Sequence, residues 1–419
     1  MENENTHELS RDLGSREKYI PLQCADLVDY LCYTNHIGDT QRGRFRQFAG
    51  LILSLLHHLY RQRHEQLSTV YSPLDPDCDK LLRAVPVPNS RNQCCHELLG
   101  LVEGSLARAN YHRLNDDAIR QAILAASRWG VRMQINFEKL RFLQVYGRGN
   151  LIGQRGIRNW RTWFRLQQVD VELFQRIVVV FRTSENFAPD QFDPNCVYLR
   201  MFKNVPKQDV DMMLPATGIQ MTWLDHSKIV VPSIYAAGMT LWRFLRNVML
   251  LTFLGIFKTA GFVLLVLFAI GFGVKSMFSY RANTKRRYML SMAQSLYYQN
   301  LDNNAGVILR LLEEGEQQHA CEAILAYFVG AIMNGGRPIS LAEMDRQCEA
   351  LLHEATGGDI DFDVEDTART LVHLGVMKFS PAGWTSLSLN EALDQLDRTW
   401  DNWFELMPTV DTEKKSDCE

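Results

Sequence analysis

Residues Val248 to Phe278, VMLLTFLGIFKTAGFVLLVLFAIGFGVKSMF, form a block of 31 residues whose only charges are Lys258 and Lys275. A helix rises about 1.5 Å per residue, so Thr259 to Phe278 alone reaches roughly the 30 Å of a bilayer's hydrocarbon core. The block predicts a membrane segment over 240–280. Trp242, Arg243 and Arg246 precede it and Arg281, Lys285, Arg286 and Arg287 follow it, so both flanks are basic and the first is also aromatic. Basic flanks favour the cytoplasmic face, and two of them favour a hairpin: a first arm over 241–257, a reversal near Lys258 to Gly261, and a second arm over 259–278. The competing arrangement is one tilted span from Leu250 to Val274, with Lys258 at an interface and the flanking regions on opposite sides.

Away from the block the chain has ordinary globular composition, 22% charged and 46% hydrophobic, with a formal net charge of −3 over 419 residues. That balance gives no global electrostatic sign of nucleic-acid binding. Nine cysteines without a CxxC pair point to a reducing compartment and to no zinc site. Met1 to Asp12 carry four acids and one Arg, which matches neither a secretory signal nor an Arg-rich transit peptide. The apolar block is then the membrane address.

N-terminal to the block, apolar residues recur at helical spacing over Cys24 to Tyr33, Gln41 to Gln66, Gln93 to Ala109 and Asp116 to Trp129. These predict a helical region over 1–130, divided by the Pro73 and Pro76 linker. Val131 to Ile135, Arg176 to Phe181, Cys196 to Phe202, Ile219 to Trp223 and Lys228 to Val231 are β-rich runs and predict a small sheet over 131–239. After the block, 281–338 reads as a helical connector. Over 339–406, Ser340 and Glu343 form a capping box, Gly357-Gly358 closes that helix and Asp363 opens the next. A hairpin through Ser380 to Gly383 follows, and Asn390 caps a last helix, which gives a winged-helix order. Residues 407–419 form a polar tail. The fold class expected is an α+β membrane protein: a helical N-terminal region with a small β-sheet, a membrane helical hairpin and a C-terminal winged-helix-like domain.

Arg155, Arg158, Arg161 and Arg165 interleave with Trp160 and Trp163, and between Gly147 and Arg182 seven Arg face two acids. On an anchored protein these residues are candidates for anionic lipid headgroups. A solvated, acid-paired face explains the same pattern, and nucleic acid is the least favoured partner. The winged-helix-like region invites a DNA reading, but from Ser340 to Phe404 it holds thirteen acids against four bases, a net of −9. Such a surface repels phosphate, so a protein partner is expected there. Cys94-Cys95-His96 and the histidines His57, His58 and His64 read as buried or surface helix residues. Asp225-His226-Ser227 reads as a turn, and the glycine-rich runs Gly147 to Asn150 and Gly153 to Gly156 lack the Walker lysine. No catalytic residue, metal or cofactor is assigned.

Four further stretches carry a resemblance. Tyr71, Pro73, Asp75, Pro76 and Asp77 are the first; Lys203, Pro206, Asp209, Leu214 and Pro215 the second. Tyr297, Asn300, Leu301, Asp302, Asn303 and Gly306 follow, then Glu322, Ala323, Ile324, Leu325, Ala326 and Tyr327. Together they resemble the transmembrane protein 143-like family of largely uncharacterised proteins. The resemblance implies a membrane protein with no assigned enzymatic role, and leaves Lys203, Asp209 and Asn300 to Asn303 as interaction positions. The eukaryotic members are associated with mitochondria; the absence of a presequence here favours a bacterial inner membrane. The function expected is an anchored scaffold or interaction protein. The alternatives are a membrane-bound enzyme acting on a lipid or phosphate substrate and an anchored DNA-binding regulator.

Overall fold

The computed structural model describes residues 17–78, 91–115, 132–135, 139–158, 166–185, 192–207, 210–215, 217–220 and 296–403, together with 239, 242, 271, 286, 290 and 293. The chain divides into two units. One comprises Met1–His112, Tyr146–Asn150 and Asn304–Glu419; the other comprises Arg113–Val145 and Leu151–Asn303.

The first unit is mainly helical. Helix α1 (Cys24–Tyr33) buries Cys24, Leu27, Val28, Leu31 and Cys32, an i, i+3, i+4, i+7, i+8 stripe that faces a core. Helix α2 (Asp39–Tyr71) is 33 residues long and continues the pattern through Phe45, Phe48, Ile52, Leu55 and Leu56. It packs along the later helix α5 (Ala305–Tyr327), where the rings of Phe48 and Tyr327 stack with centroids 3.9 Å apart. Phe45 meets Phe328 edge-on at 5.3 Å. Close approach of the two helices is permitted by Gly315, because a Cβ there would come within 3.3 Å of the Tyr60 ring. The Tyr60 hydroxyl donates to the Gly315 carbonyl at 3.1 Å. The end of α5 widens into a π-helical turn, Phe328–Met333, and Gly336 closes it by donating to the Gly330 carbonyl at 3.0 Å.

Helix α3 (Arg91–Arg108) buries Leu98, Val102 and Leu106. The C-terminal elements join the core formed by α1, α2 and α5: Met344, Cys348 and Leu352 of α6 (Leu341–Thr356), Ala368 and Leu371 of α7 (Val364–His373), and Ala392 and Leu396 of α8 (Leu389–Asp401) belong to one continuous apolar cluster. Strands β8 (Met377–Ser380) and β9 (Gly383–Ser386) pair antiparallel between α7 and α8. Ser340 caps α6 by accepting from the Glu343 amide at 3.2 Å, and Gly357 ends that helix at φ 71°. The last helix is capped by a Ser388–Glu391 capping box, two residues ahead of the cap expected at Asn390.

In the second unit the main sheet has the order β1 (His112–Arg113), β3 (Leu140–Arg158), β4 (Leu166–Thr183), β5 (Tyr198–Pro206), β7 (Asn300–Asn303); residues 146–150 of β3 belong to the first unit. Strands β4 and β5 run antiparallel, with Ile177 opposite Phe202 and Val179 opposite Arg200, and β7 pairs antiparallel with the other edge of β5. Ile177, Val178, Val179, Val180 and Phe181 are all fully buried, the signature of a strand covered on both faces. Phe174, Ile177, Val179 and Phe181 pack with Tyr198, Phe202, Val205 and the short helix α4 (Val210–Met213). A second, two-stranded sheet pairs β2 (Arg132–Ile135) with β6 (Thr217–Gln220).

This architecture corrects the expected fold class. Among the described residues no helix is long and apolar enough to cross a membrane. The longest helices are too charged: α2 carries Arg42, Arg44, Arg46, Arg61, Arg63 and Glu65, and α5 carries Arg310, Glu313, Glu314, Glu316 and Glu322. The expected hairpin over 240–280 lies outside the described residues apart from Trp242 and Gly271. The described fold is α+β, built around a five-stranded sheet and a helical core. The transmembrane helix, the inner-membrane location and its mitochondrial alternative are therefore not carried forward.

Two elements were not expected. Strand β3 is 19 residues long, yet its sequence carries Gly147, Gly149, Gly153 and Gly156 and no clean apolar alternation. The second lies in the stretch expected as a helical connector, where α5 runs unbroken through Gly315 because that glycine faces Tyr60 rather than ending the helix.

Candidate functional site

A cleft of about 810 Å³ opens in the first unit between the N-terminal segment, the middle of α2, the end of α3, α5 and α7. Its lining begins with how α3 stops. Asn110 adopts φ 59°, and the Tyr111 amide donates to the Leu106 carbonyl at 2.9 Å while the Asn110 amide donates to the Ala107 carbonyl at 3.0 Å. This is the Schellman arrangement with asparagine in the left-handed position usually taken by glycine. The reversal turns the Asn110 side chain toward α5. Its Nδ2 shares its two hydrogens among three acceptors, the Lys18 carbonyl at 3.0 Å, Gln318 Oε1 at 3.1 Å and Glu322 Oε1 at 3.1 Å.

Gln318 is 2% exposed and its amide is fully engaged: Oε1 accepts from the Ile20 amide at 3.1 Å and Nε2 donates to the Ile20 carbonyl at 2.9 Å. The N-terminal segment is thus tied to α5 through one side chain. Glu322, one turn further along α5, lines the cleft. Its carboxyl pKa is pushed up to about 8, first by removal from water and then by Asp363 and Asp366, against the opposing Asn110 hydrogen bond and Lys18. At neutral pH it is a neutral acid.

His319 lies at i−3 from Glu322 on the same wall. Its Nε2 is 2.9 Å from Thr370 Oγ1, and the Thr370 hydroxyl donates to the Asp366 carbonyl at 3.1 Å. The hydroxyl proton is therefore committed to Asp366, which assigns Nε2 as the histidine donor and leaves Nδ1 an acceptor, buried and without a hydrogen-bond partner. Burial, with Arg108 and Arg63 nearby, holds this imidazole down to about 4.

Arg63 and Arg108 form the basic wall. Arg63 sits 5.2 Å from the Tyr60 ring centroid, and its pKa is lowered by burial and by Arg108. The other cations of the cleft have carboxylates: Lys18 pairs with Asp363 at 3.8 Å, and Arg369 with Glu365. Arg63 and Arg108 have no carboxylate at bridging distance among the described residues. Glu17 and Asp366 stand among the lining residues of the same cleft, so it is polar at both ends.

None of the described residues expected to form a site is among those lining this cleft. Arg155 and Arg158 fall within β3, whereas Trp160, Arg161, Trp163 and Arg165 lie outside the described residues. Trp242 and Arg286 are exposed, while Arg243, Arg246, Arg281, Lys285 and Arg287 lie outside the described residues. Asp225-His226-Ser227 and Asp209 also lie outside them. Cys94 and Cys95 are buried on α3, His57 pairs with Glu316 at 3.1 Å, and the His58 ring meets Trp403 at 5.2 Å. Among the described residues no group of three His, Cys, Asp or Glu side chains converges as a metal site would require.

Arg63, Arg108, Asn110, His319 and Glu322 were not singled out as a site in the sequence. Two signals were present: an asparagine directly after a predicted helix end, and a His and a Glu one turn apart on a helix otherwise rich in Ala, Ile and Leu.

Residues 174–306 match the model of a family described as a protein of unknown function, DUF3754. The match runs from within β4 to the start of α5, well short of half the chain, and so does not include the cleft residues. It carries no link to the transmembrane protein 143-like family. No solved structure matches the chain.

Proposed function

We propose that the first unit is a binding module for a small molecule bearing an oxyanion, a phosphate or a carboxylate, seated between Arg63 and Arg108. The observation that carries this reading is the pair of guanidiniums lining one cleft with, among the described residues, no carboxylate at bridging distance from either. Two like charges brought together repel, and an unpaired cation that is half removed from water is costly. An oxyanion relieves both, and the planar guanidinium matches its geometry in a bidentate fashion. The phosphate side of the enzyme alternative thus moves from the Arg155 to Arg165 segment to residues of α2 and α3. No reaction is assigned to it.

Thermal denaturation of the full-length protein with increasing phosphate or sulfate tests the reading. Either ion raises the transition midpoint of the wild-type protein, and Arg63→Gln with Arg108→Gln removes that rise. An unchanged midpoint in the wild-type protein, or an equal rise in the double variant, overturns it.

A second reading, a protein contact through the C-terminal segment, is supported by Phe379, which is 68% exposed on β8 against Trp384. Exposed acids on the adjoining helices, among them Glu365, Asp394, Asp397 and Asp401, favour a basic peptide as the occupant. A Lys-rich peptide retained at low salt, lost at high salt and lost with Phe379→Ser supports it; no retention rejects it.

A further inference from the structure

We propose that the Glu322 carboxyl is part of the ligand site: held protonated, it donates a hydrogen bond from Oε2 to the oxyanion bound by Arg63 and Arg108, so that ionisation of Glu322 releases the ligand. The inference rests on the oxyanion reading of the cleft and deepens it from a charge pair to a pH-sensitive three-point site.

The geometry behind it is the division of labour between the two carboxyl oxygens. Oε1 is occupied, accepting from Asn110 Nδ2 at 3.1 Å. Among the described residues Oε2 has no hydrogen-bond partner, and it is not among the sealed polar atoms, so it is the oxygen left to face the cleft that Glu322 lines. Asn110 can only donate through Nδ2, so it fixes Oε1 as the acceptor and the proton to Oε2. A neutral carboxyl adds a donor to an oxyanion site, whereas a carboxylate would place a negative charge beside the ligand.

Removal from water and the carboxylates of α7 favour the neutral form, while Lys18 and the arginines of the cleft oppose it. Asp363 and Asp366 of α7 both raise the Glu322 pKa, and Lys18 of the N-terminal segment, already paired with Asp363, opposes them only in part. Arg369 and His373 line the α7 side of the cleft, and Arg369 is paired with Glu365. From α2 and α3, Tyr60, Arg63 and Arg108 face the same space. The Tyr60 hydroxyl is pushed up to about 12, chiefly by burial. On α5 itself Gln318 does not ionise, His319 is neutral above about 4, and the Cys321 thiol is pushed well up by its hydrogen bond with Cys24 and by burial. Glu322 at about 8 changes charge between pH 7 and 9; the Cys24 thiol of α1, lowered from its ordinary value by its hydrogen bond with Cys321, is not among the residues lining the cleft.

The test is sulfate binding to the full-length protein by calorimetry, because sulfate keeps its charge across this range. Wild-type affinity falls about tenfold from pH 7 to pH 9, the loss expected when one proton must be bound with the ligand. Glu322→Gln keeps an acceptor for Asn110 and a donor toward the ligand but cannot ionise, so its affinity is flat over the same range. Should that variant not fold, wild-type titrations at pH 8 in two buffers of different ionisation enthalpy give the same answer, since binding takes up a proton from the buffer. A pH-independent wild-type affinity, an equal decline in the Gln variant, or no proton uptake overturns the role of Glu322 while leaving the oxyanion site in place. Failure of sulfate to bind at any pH overturns both.

Discussion

The guanidinium of Arg148 is buried against the carboxylate of Glu314, with Nη2 2.9 Å from Oε2, and only 2% of the arginine side chain reaches solvent. Two tyrosine rings enclose it, Tyr19 at 4.0 Å and Tyr111 at 4.6 Å from the guanidinium carbon to the ring centroid. Nη1 donates to the Ala109 carbonyl at 3.1 Å, and the Tyr111 hydroxyl donates to Glu314 Oε2 at 2.7 Å. Arg148 lies on β3 between Gly147 and Gly149, in the segment that as sequence suggested a weak phosphate loop. The charge is instead used internally, where its planar face suits the tyrosines and its fork suits the carboxylate and carbonyl.

Arg148→Met is expected to destabilise the protein by about 3–5 kcal/mol, because it strands a largely buried carboxylate. Adding Glu314→Gln recovers part of that loss. Urea midpoints of the two single variants and the double variant measure it. A double variant no more stable than Arg148→Met would show that the pair is not coupled.

Glu322 and His319 give stability opposite dependences on pH. The folded-state pKa of Glu322 is raised from 4.5 to about 8, so the folded protein binds the extra proton and stability falls as pH rises through that window. The folded-state pKa of His319 is lowered from 6.5 to about 4, so its contribution is present above 6.5 and is lost as pH falls toward 4. In a stability profile measured by urea unfolding, Glu322→Gln is therefore expected to flatten the fall between pH 6.5 and 8, where His319 adds no slope, and His319→Gln to reduce the loss as pH falls from 6.5 toward 4. Unaltered slopes in both variants would place the ionisations elsewhere.

The last helix depends on its cap. In α8 the Ser388 hydroxyl and Glu391 satisfy amides at the helix start, with the Ser388 amide donating to Glu391 Oε2 at 3.1 Å. Ser388→Ala costs about 1 kcal/mol by thermal or chemical denaturation. Ser388→Asn, which retains an acceptor, recovers most of it.

Gly383 combines a positive φ of 127° with a close approach: a Cβ would lie 2.9 Å from the Ile339 carbonyl oxygen. That carbonyl accepts from the Trp384 amide at 2.9 Å, so the clash falls on the hydrogen bond joining residue 339 to β9. Gly383→Ala is expected to destabilise by about 1–3 kcal/mol and to speed amide exchange at Trp384. Protection of that amide equal to the wild-type level would exclude the clash.

The sequence by itself determined the local elements wherever a period or a cap was strong. Leu27, Val28, Leu31 and Cys32 mark α1, Ser340 and Glu343 start α6, and the Arg176 to Phe181 run lies within β4, because backbone propensity and side-chain spacing act over a few residues. It misjudged β3, whose glycines and arginines hide the strand period, and it gave the membrane reading to a block whose surroundings turn out to be an α+β fold without a membrane-crossing helix among the described residues. Only the tertiary structure decided the cleft. Lys18, Arg63, the neighbouring Arg108 and Asn110, and Glu322 come from four separate stretches of the chain, and each stretch alone has the composition of a solvated helix face or turn. Burial and mutual approach displaced the ionisation of Glu322, and these arise only after α2, α3, α5 and α7 pack.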